Sequence, residues 1–205
     1  MTGIETVILE APDPAGVEAF VAAAFGPELP VRARPGEAAT TGFRGFTLSL
    51  VVSRPSTVDA FVEAALKAGG SELTPPKKSL WGYGGGVTGP DGTIWTVASS
   101  SKKDRDPKAD QRVHQIEEFV LQLGVDDVAA SKRFYVERGL QVAKSFGRKY
   151  VSFSTGPITL ALLSRRALAK NAGVSADGTG SHRIVVSSPA GTFTDPDGFT
   201  WETAR

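Results

Sequence analysis

Imidazole is scarce in this chain and thiol is missing. His114 and His182 are its two histidines, and it has no cysteine. Thiolate nucleophiles, disulfides and Cys-ligated zinc are therefore excluded. A Ser-His-Asp relay has no support either, because no Gly-x-Ser-x-Gly motif occurs and, with two histidines, a triad would need one of them in a place that nothing supports. Imidazole and carboxylate are what a divalent metal takes when no thiolate is present. Aromatic rings and glycines cluster in Trp81-Gly82-Tyr83-Gly84-Gly85-Gly86. Glycines let the backbone approach a ligand and aromatic faces stack on flat molecules, so Trp81 and Tyr83 are candidate pocket residues. The competing reading is that Trp81 plugs the end of a small core. The run is not a phosphate loop: no Lys-Ser/Thr follows it, and it leads into a strand rather than a helix.

The elements that would position these residues fall into two similar halves. Ser99 to Asp110 is polar or structure-breaking apart from Ala109 and reads as a linker near the midpoint. The expected division is a first domain at 1–98, a linker at 99–112 and a second domain at 113–205. Each half opens with an apolar, β-compatible stretch, Ile4–Ala11 and Ile116–Val125. Each stretch hands over to a helix at an aspartate, Asp13 or Asp127, suited to accept from the free amides of a first turn. Pro14 fits the first helical position. Each half closes on Pro-Asp-Gly and a strand: Gly89-Pro90-Asp91-Gly92-Thr93-Ile94-Trp95-Thr96 parallels Asp195-Pro196-Asp197-Gly198-Phe199-Thr200-Trp201-Glu202. Matched starts and ends indicate an internal duplication.

Between these marks the halves differ. The first has a strand at Phe46–Val52 and a helix at Thr57–Lys67 stopped by Gly69-Gly70. The second has a hairpin of Lys149–Ser154 and Ile158–Leu163, a short basic helix at Arg165–Lys170, a loop at Ala176–Gly180 and a strand at His182–Ser187. It lacks a counterpart of the Thr57–Lys67 helix, so its second module is shortened. Composition bounds the partners. The 205 residues are 40% hydrophobic and 22% charged, with 23 basic against 22 acidic side chains and a net charge of +1. A core can form, and no long-range field attracts nucleic acid or anionic lipid. Met1-Thr2-Gly3-Ile4-Glu5 shows no signal peptide, and no run approaches about 18 apolar residues, so a cytoplasmic location without membrane contact is expected.

The order of strand, Asp-started helix, further strands and closing Pro-Asp-Gly strand resembles the vicinal-oxygen-chelate superfamily of glyoxalases, bleomycin-resistance proteins and extradiol dioxygenases. So does Ala129-Ala130-Ser131-Lys132-Arg133-Phe134-Tyr135 with Gly139-Leu140. The resemblance spans nearly the whole chain. It implies an α+β protein of two tandem glyoxalase-like domains, built from βαβββ modules with curved, mixed, mainly antiparallel sheets. It also implies metal-ligand positions on the first strand of each module and the last strand of each domain. In the first half these fall on Thr6, Thr47 and Thr96, whose neutral hydroxyls are weak donors, so no family-type metal is expected there. In the second half the last-strand position is Glu202 and the second module's first strand brings His182. The first strand offers Val120, counting back from Asp127, or Glu118, matching the apolar pattern. With Glu118, the set Glu118, His182 and Glu202 would be a two-carboxylate, one-imidazole site of the kind that leaves positions open on iron or manganese. His182 as a surface residue, Glu202 as a plain surface carboxylate and Glu117-Glu118 as a charged strand edge are the alternatives.

Three functions follow as expectations. The first is a bleomycin-resistance-like protein that binds a small organic molecule without a metal, using Trp81, Tyr83 and the cavity threonines. The second is a metal-dependent lyase, isomerase or dioxygenase with one iron, manganese, zinc or nickel ion in the second half. The third is a non-catalytic scaffold in which the other domain, or a second copy of the chain, covers the sheet face left by the missing helix. Monomer and homodimer both stay open.

Overall fold

Asp13 and Asp127 start helices for the reason their positions suggest. Asp13 Oδ1 accepts from Gly16 N at 3.0 Å, and Asp127 Oδ1 accepts from Ala129 N at 2.8 Å and Ala130 N at 3.2 Å. Hydrogen bonds from the Ala130 and Ala129 amides lower the Asp127 carboxyl from its ordinary value. The computed structural model describes residues 3–80, 82–104 and 116–204. The first half runs β1 (Thr6–Ala11), α1 (Pro14–Phe25), β2 (Val31–Pro35), β3 (Thr40–Gly42), β4 (Phe46–Val52), α2 (Pro55–Lys67), β5 (Ser71–Lys78), β6 (Tyr83–Thr88) and β7 (Ile94–Ser99). The second runs β8 (Ile116–Val125), α3 (Val128–Glu137), β9 (Gln141–Ser145), β10 (Val151–Ser154), β11 (Thr159–Ser164), α4 (Arg165–Ala172), β12 (Gly178–Gly180), β13 (Ile184–Ser187), β14 (Phe193–Thr194) and β15 (Thr200–Glu202).

The strands form an eight-stranded sheet, β5-β6-β7-β4-β8-β11-β10-β9, and a five-stranded sheet, β14-β15-β13-β1-β2, with β12 and β3 as a separate pair. Antiparallel pairings outnumber parallel ones eight to four. Each large sheet takes strands from both halves. In the larger, β4 pairs antiparallel with β8; in the smaller, β1 pairs antiparallel with β13. Both large sheets therefore cross the expected boundary at 99–112.

Two local readings change. The stretch read as a loop at Ala176–Gly180 contains β12, which pairs with β3. The strand expected from His182 starts only at Ile184, because Arg183 takes φ +51 and breaks the extended run. No helix separates β13 from β15, as expected from the missing counterpart of α2. The core face of the five-stranded sheet is covered from within the chain. Trp201 is 0% exposed and its ring lies 5.3 Å from Tyr135 of α3, which also meets Phe153 of β10 at 5.8 Å. The other signature tryptophan, Trp95, is likewise 0% exposed and stacks on Phe25 at 4.6 Å. One main core cluster contains both.

Each Pro-Asp-Gly turn is tied down by different chemistry. The first is held by buried Arg44, whose Nη2 donates to Thr93 Oγ1 at 2.7 Å and to Asp91 Oδ2 at 3.3 Å. The second is held from α3: Ser131 Oγ donates to Asp197 Oδ2 at 2.8 Å and the Tyr135 hydroxyl donates to Asp195. Burial raises the Asp195 carboxyl, against the hydrogen bonds that favour its charge, and burial beside Asp195 pushes Tyr135 well up.

Trp95→Ala and Trp201→Ala are each expected to cost about 3–5 kcal/mol in urea unfolding, the usual range for a buried tryptophan. Asp195 has a folded pKa above its unfolded value. Its contribution is complete below the unfolded pKa and is lost as pH rises through the folded one. The urea midpoint of Asp195→Asn, relative to wild type, should therefore rise with pH through that window; a constant offset would contradict the assignment.

Candidate functional site

The concave face of the eight-stranded sheet is a trough, because the residues pointing into it are small. Alternation along β4 sends Leu48 and Leu50 to the core and Thr47 and Ser49 into the trough. Along β7, Trp95 and Val97 are buried and Thr96 turns the other way. The register sets Thr47 opposite Gln122 of β8 and Ser49 beside Thr96. Thr47 Oγ1 donates to Gln122 Oε1 at 2.9 Å, and Thr96 Oγ1 donates to Ser49 Oγ at 2.9 Å. In β6, Gly84 stands opposite Ala98 and Gly86 opposite Thr96, so this stretch of floor carries no bulk.

Helix α4 roofs part of the trough. Leu168 and Ala169 pack with Val120, Ala161, Leu163 and Phe43 in a second, smaller apolar cluster. The roof sits close because β8 has a glycine beneath it: a Cβ on Gly124 would lie 2.9 Å from Arg165 Cα and 3.1 Å from Gly45 O. Ser164 caps α4, its Oγ accepting from Ala167 N at 3.3 Å. The unfilled part is a cleft of about 330 Å³ between the hydroxyl-bearing floor and Leu168, Asn171 and Ala172 of the roof.

The residues singled out in the sequence are distributed as follows. Thr47 and Thr96 line this cleft together. Thr6 does not join them. It lies in the five-stranded sheet opposite Ser187, which pairs in turn with Glu202, so the three threonines are not one set. Tyr83 borders the cleft, but its hydroxyl donates to Asp59 of α2 at 2.8 Å, on the helix side of the sheet. That carboxylate holds the Tyr83 phenol above its ordinary value. Trp81 and His114 lie outside the described residues. Gln122 was missed. It is two residues beyond Val120 on the same face, and only the pairing of the two first strands sets it opposite Thr47.

Glu118, His182 and Glu202 do not meet. Glu118 and Val120 are two apart and share a face of β8. Val120 is buried under α4, while exposed Glu118 accepts from Thr159 Oγ1 at 2.6 Å. Glu202 belongs to the other sheet. His182 is level with Asp197, whose carbonyl its Nε2 meets at 3.0 Å, while Nδ1 faces Arg44 O and the ring stacks on Phe199 at 3.9 Å. The strand register sets Glu202 beside Ser187, five positions beyond His182. Among the described residues no group of three His, Asp or Glu side chains is placed to hold a metal ion.

On the five-stranded sheet a cation is already built in. Arg34 of β2 donates from Nη1 to both Glu202 oxygens at 2.9 Å, and from Nε and Nη2 to Glu10 Oε1 at 3.0 and 2.7 Å. Partial burial works against the Arg34 charge, yet the two carboxylates hold it raised. The donor sets thus do not fit a divalent ion: in the cleft, neutral hydroxyls and one amide; on the smaller sheet, two carboxylates occupied by a guanidinium.

Solved structures share this fold. Glyoxalase I from Zea mays aligns with a TM-score of 0.60 at 12% identity, over 98% of this chain and 91% of that one. A putative dioxygenase from Bacillus subtilis aligns with a TM-score of 0.54 at 13% identity, over 90% of this chain and 69% of that one. The chain has the vicinal-oxygen-chelate fold. No family model and no curated protein sequence matches. The likeness covers 98% of the chain, so it takes in both halves. No helix among the described residues is long and apolar enough to cross a membrane.

Arg34→Met is expected to destabilise the chain by about 1 kcal/mol at low ionic strength, since the network is partly exposed. The loss should shrink in high salt as the carboxylate repulsion is screened; urea titrations at two salt concentrations read both.

Proposed function

We propose that the chain is a glyoxalase/bleomycin-resistance-like protein that binds a small organic molecule in the cleft of the eight-stranded sheet, without a resident metal there. One observation carries this reading: the floor beneath α4 consists of small hydroxyl-bearing residues and glycine, leaving a cleft of about 330 Å³. That size lies at the low end for small-ligand sites. Recognition would rest on hydrogen bonds from Thr47, Ser49, Thr96 and Gln122 and on close approach to the glycine backbone of β6. The fold it shares with maize glyoxalase I supports a superfamily enzyme as the setting, with any chemistry performed on the bound molecule by polar groups of the cleft. The metal-dependent lyase, isomerase or dioxygenase reading has weaker support, because Glu118, His182 and Glu202 sit apart.

Gly86→Trp tests the proposal. A Cβ there meets nothing closer than Trp95 O at 3.5 Å, so the backbone tolerates a side chain that fills the cleft. In a ligand-observed NMR screen of hydroxylated fragments, hits on the wild type should lose at least tenfold affinity in Gly86→Trp and persist in EDTA. Hits that survive Gly86→Trp, or that need added metal, would overturn it.

A further inference from the structure

We infer that the ligand of this cleft is a hydroxylated organic monoanion whose single negative charge is met by Lys77; the inference rests on the small-molecule reading above. Lys77, near the end of β5, is the only charged side chain among the described residues lining the cleft. The other polar groups there are neutral hydroxyls and two amides, Gln122 and Asn171. Asp59, bonded to Tyr83, belongs to α2 on the opposite side of the sheet.

The surroundings lean the same way. The roof helix carries Arg165, Arg166 and Lys170 and no acid. Arg165 is already engaged by the carbonyls of Ala176 and Phe43, whereas Arg166 and Lys170 are exposed. The C-terminus of α4 approaches Thr74, with a Cβ on Gly173 falling 3.0 Å from Thr74 Oγ1. Its partial negative charge opposes an anion, and Lys170 in the last turn offsets it.

Charge counting then selects the ligand. One carboxylate or singly charged phosphate ester finds Lys77, and its remaining oxygens find hydroxyl and amide partners. A second negative charge would have no charged partner among the lining residues. A cationic ligand would meet Lys77 with no carboxylate to offset it. The hydroxyls on the floor both donate and accept, so they suit a ligand bearing hydroxyl or carbonyl oxygens.

Two matched series separate charge from shape: 4-hydroxybenzoate, 4-hydroxybenzyl alcohol and 4-hydroxybenzylamine; and gluconate, glucitol and glucamine. Affinities are read by protein-observed NMR on wild type, Lys77→Met, Lys78→Met, Gly86→Trp and Asn171→Trp, the last filling the cleft from the exposed roof side should Gly86→Trp not fold. The expected result is an acid that binds about tenfold tighter than its alcohol and amine. Lys77→Met should abolish that preference, Lys78→Met should leave it unchanged, and a cleft-filling variant should abolish binding. Acid and alcohol binding equally, with both lost on filling the cleft, would overturn the charge assignment and leave the small-molecule reading standing. A preference for the amine, or an acid preference indifferent to Lys77→Met, would do the same. If no member binds, or binding persists in the filled cleft, both readings fall.

Discussion

The structure depends on one ladder. Phe46–Val52 of β4 pairs antiparallel with β8 over seven residue pairs, from Phe46 opposite Leu123 to Val52 opposite Ile116. Both strands bury one face almost completely, Leu48 and Leu50 on one side of the pairing and Phe119, Leu121 and Leu123 on the other. A slip of one residue would turn those side chains into the trough and the polar residues of the floor into the core. Burial therefore locks the register, and the register decides which polar groups share the cleft. Without this ladder Thr47 and Gln122 would belong to separate sheets.

The same logic explains why the two copies of the closing signature have diverged. In each copy the tryptophan is fully buried, and the following residue takes the opposite face by strand alternation. Thr96 then looks into an open cleft, where a small hydroxyl leaves room. Glu202 looks across β13 and β1 to Arg34, where a guanidinium bridges two carboxylates. One sheet keeps space for a ligand; the other fills the corresponding region with its own ions. Helix α4 adds a second asymmetry, because it packs on the β8–β11 side of the larger sheet and leaves the β4–β6 side open.

Much was legible from local chemistry. Helix starts at Asp13 and Asp127, the Pro14 position and the turns at Asp91 and Asp197 rest on interactions within a few residues, and those are written in the sequence. Tyr83 shows the limit: a glycine-rich aromatic run predicts a pocket edge, but the face of β6 that carries the phenol is decided by burial of Val87 against the core, and that face sends the hydroxyl to Asp59. His182 shows another limit. Its ring stacks on Phe199 between the carbonyls of Arg44 and Asp197, two groups distant in sequence that no spacing rule reveals.

The sequence by itself determined the α+β class, the matched starts and ends of the two halves and the vicinal-oxygen-chelate resemblance, which marked Thr47, Thr96 and Glu202 as ligand positions. Tertiary structure alone decided how the modules pair, and with that the membership of each site. Thr6 went to Glu202's sheet, Gln122 came to Thr47, Glu118 was left at an exposed strand end and Arg34 took the place between Glu10 and Glu202. The physical reason is that strand alternation is a local property with a period of two residues, whereas strand partnership is set by the burial of whole faces contributed by segments about seventy to 180 residues apart.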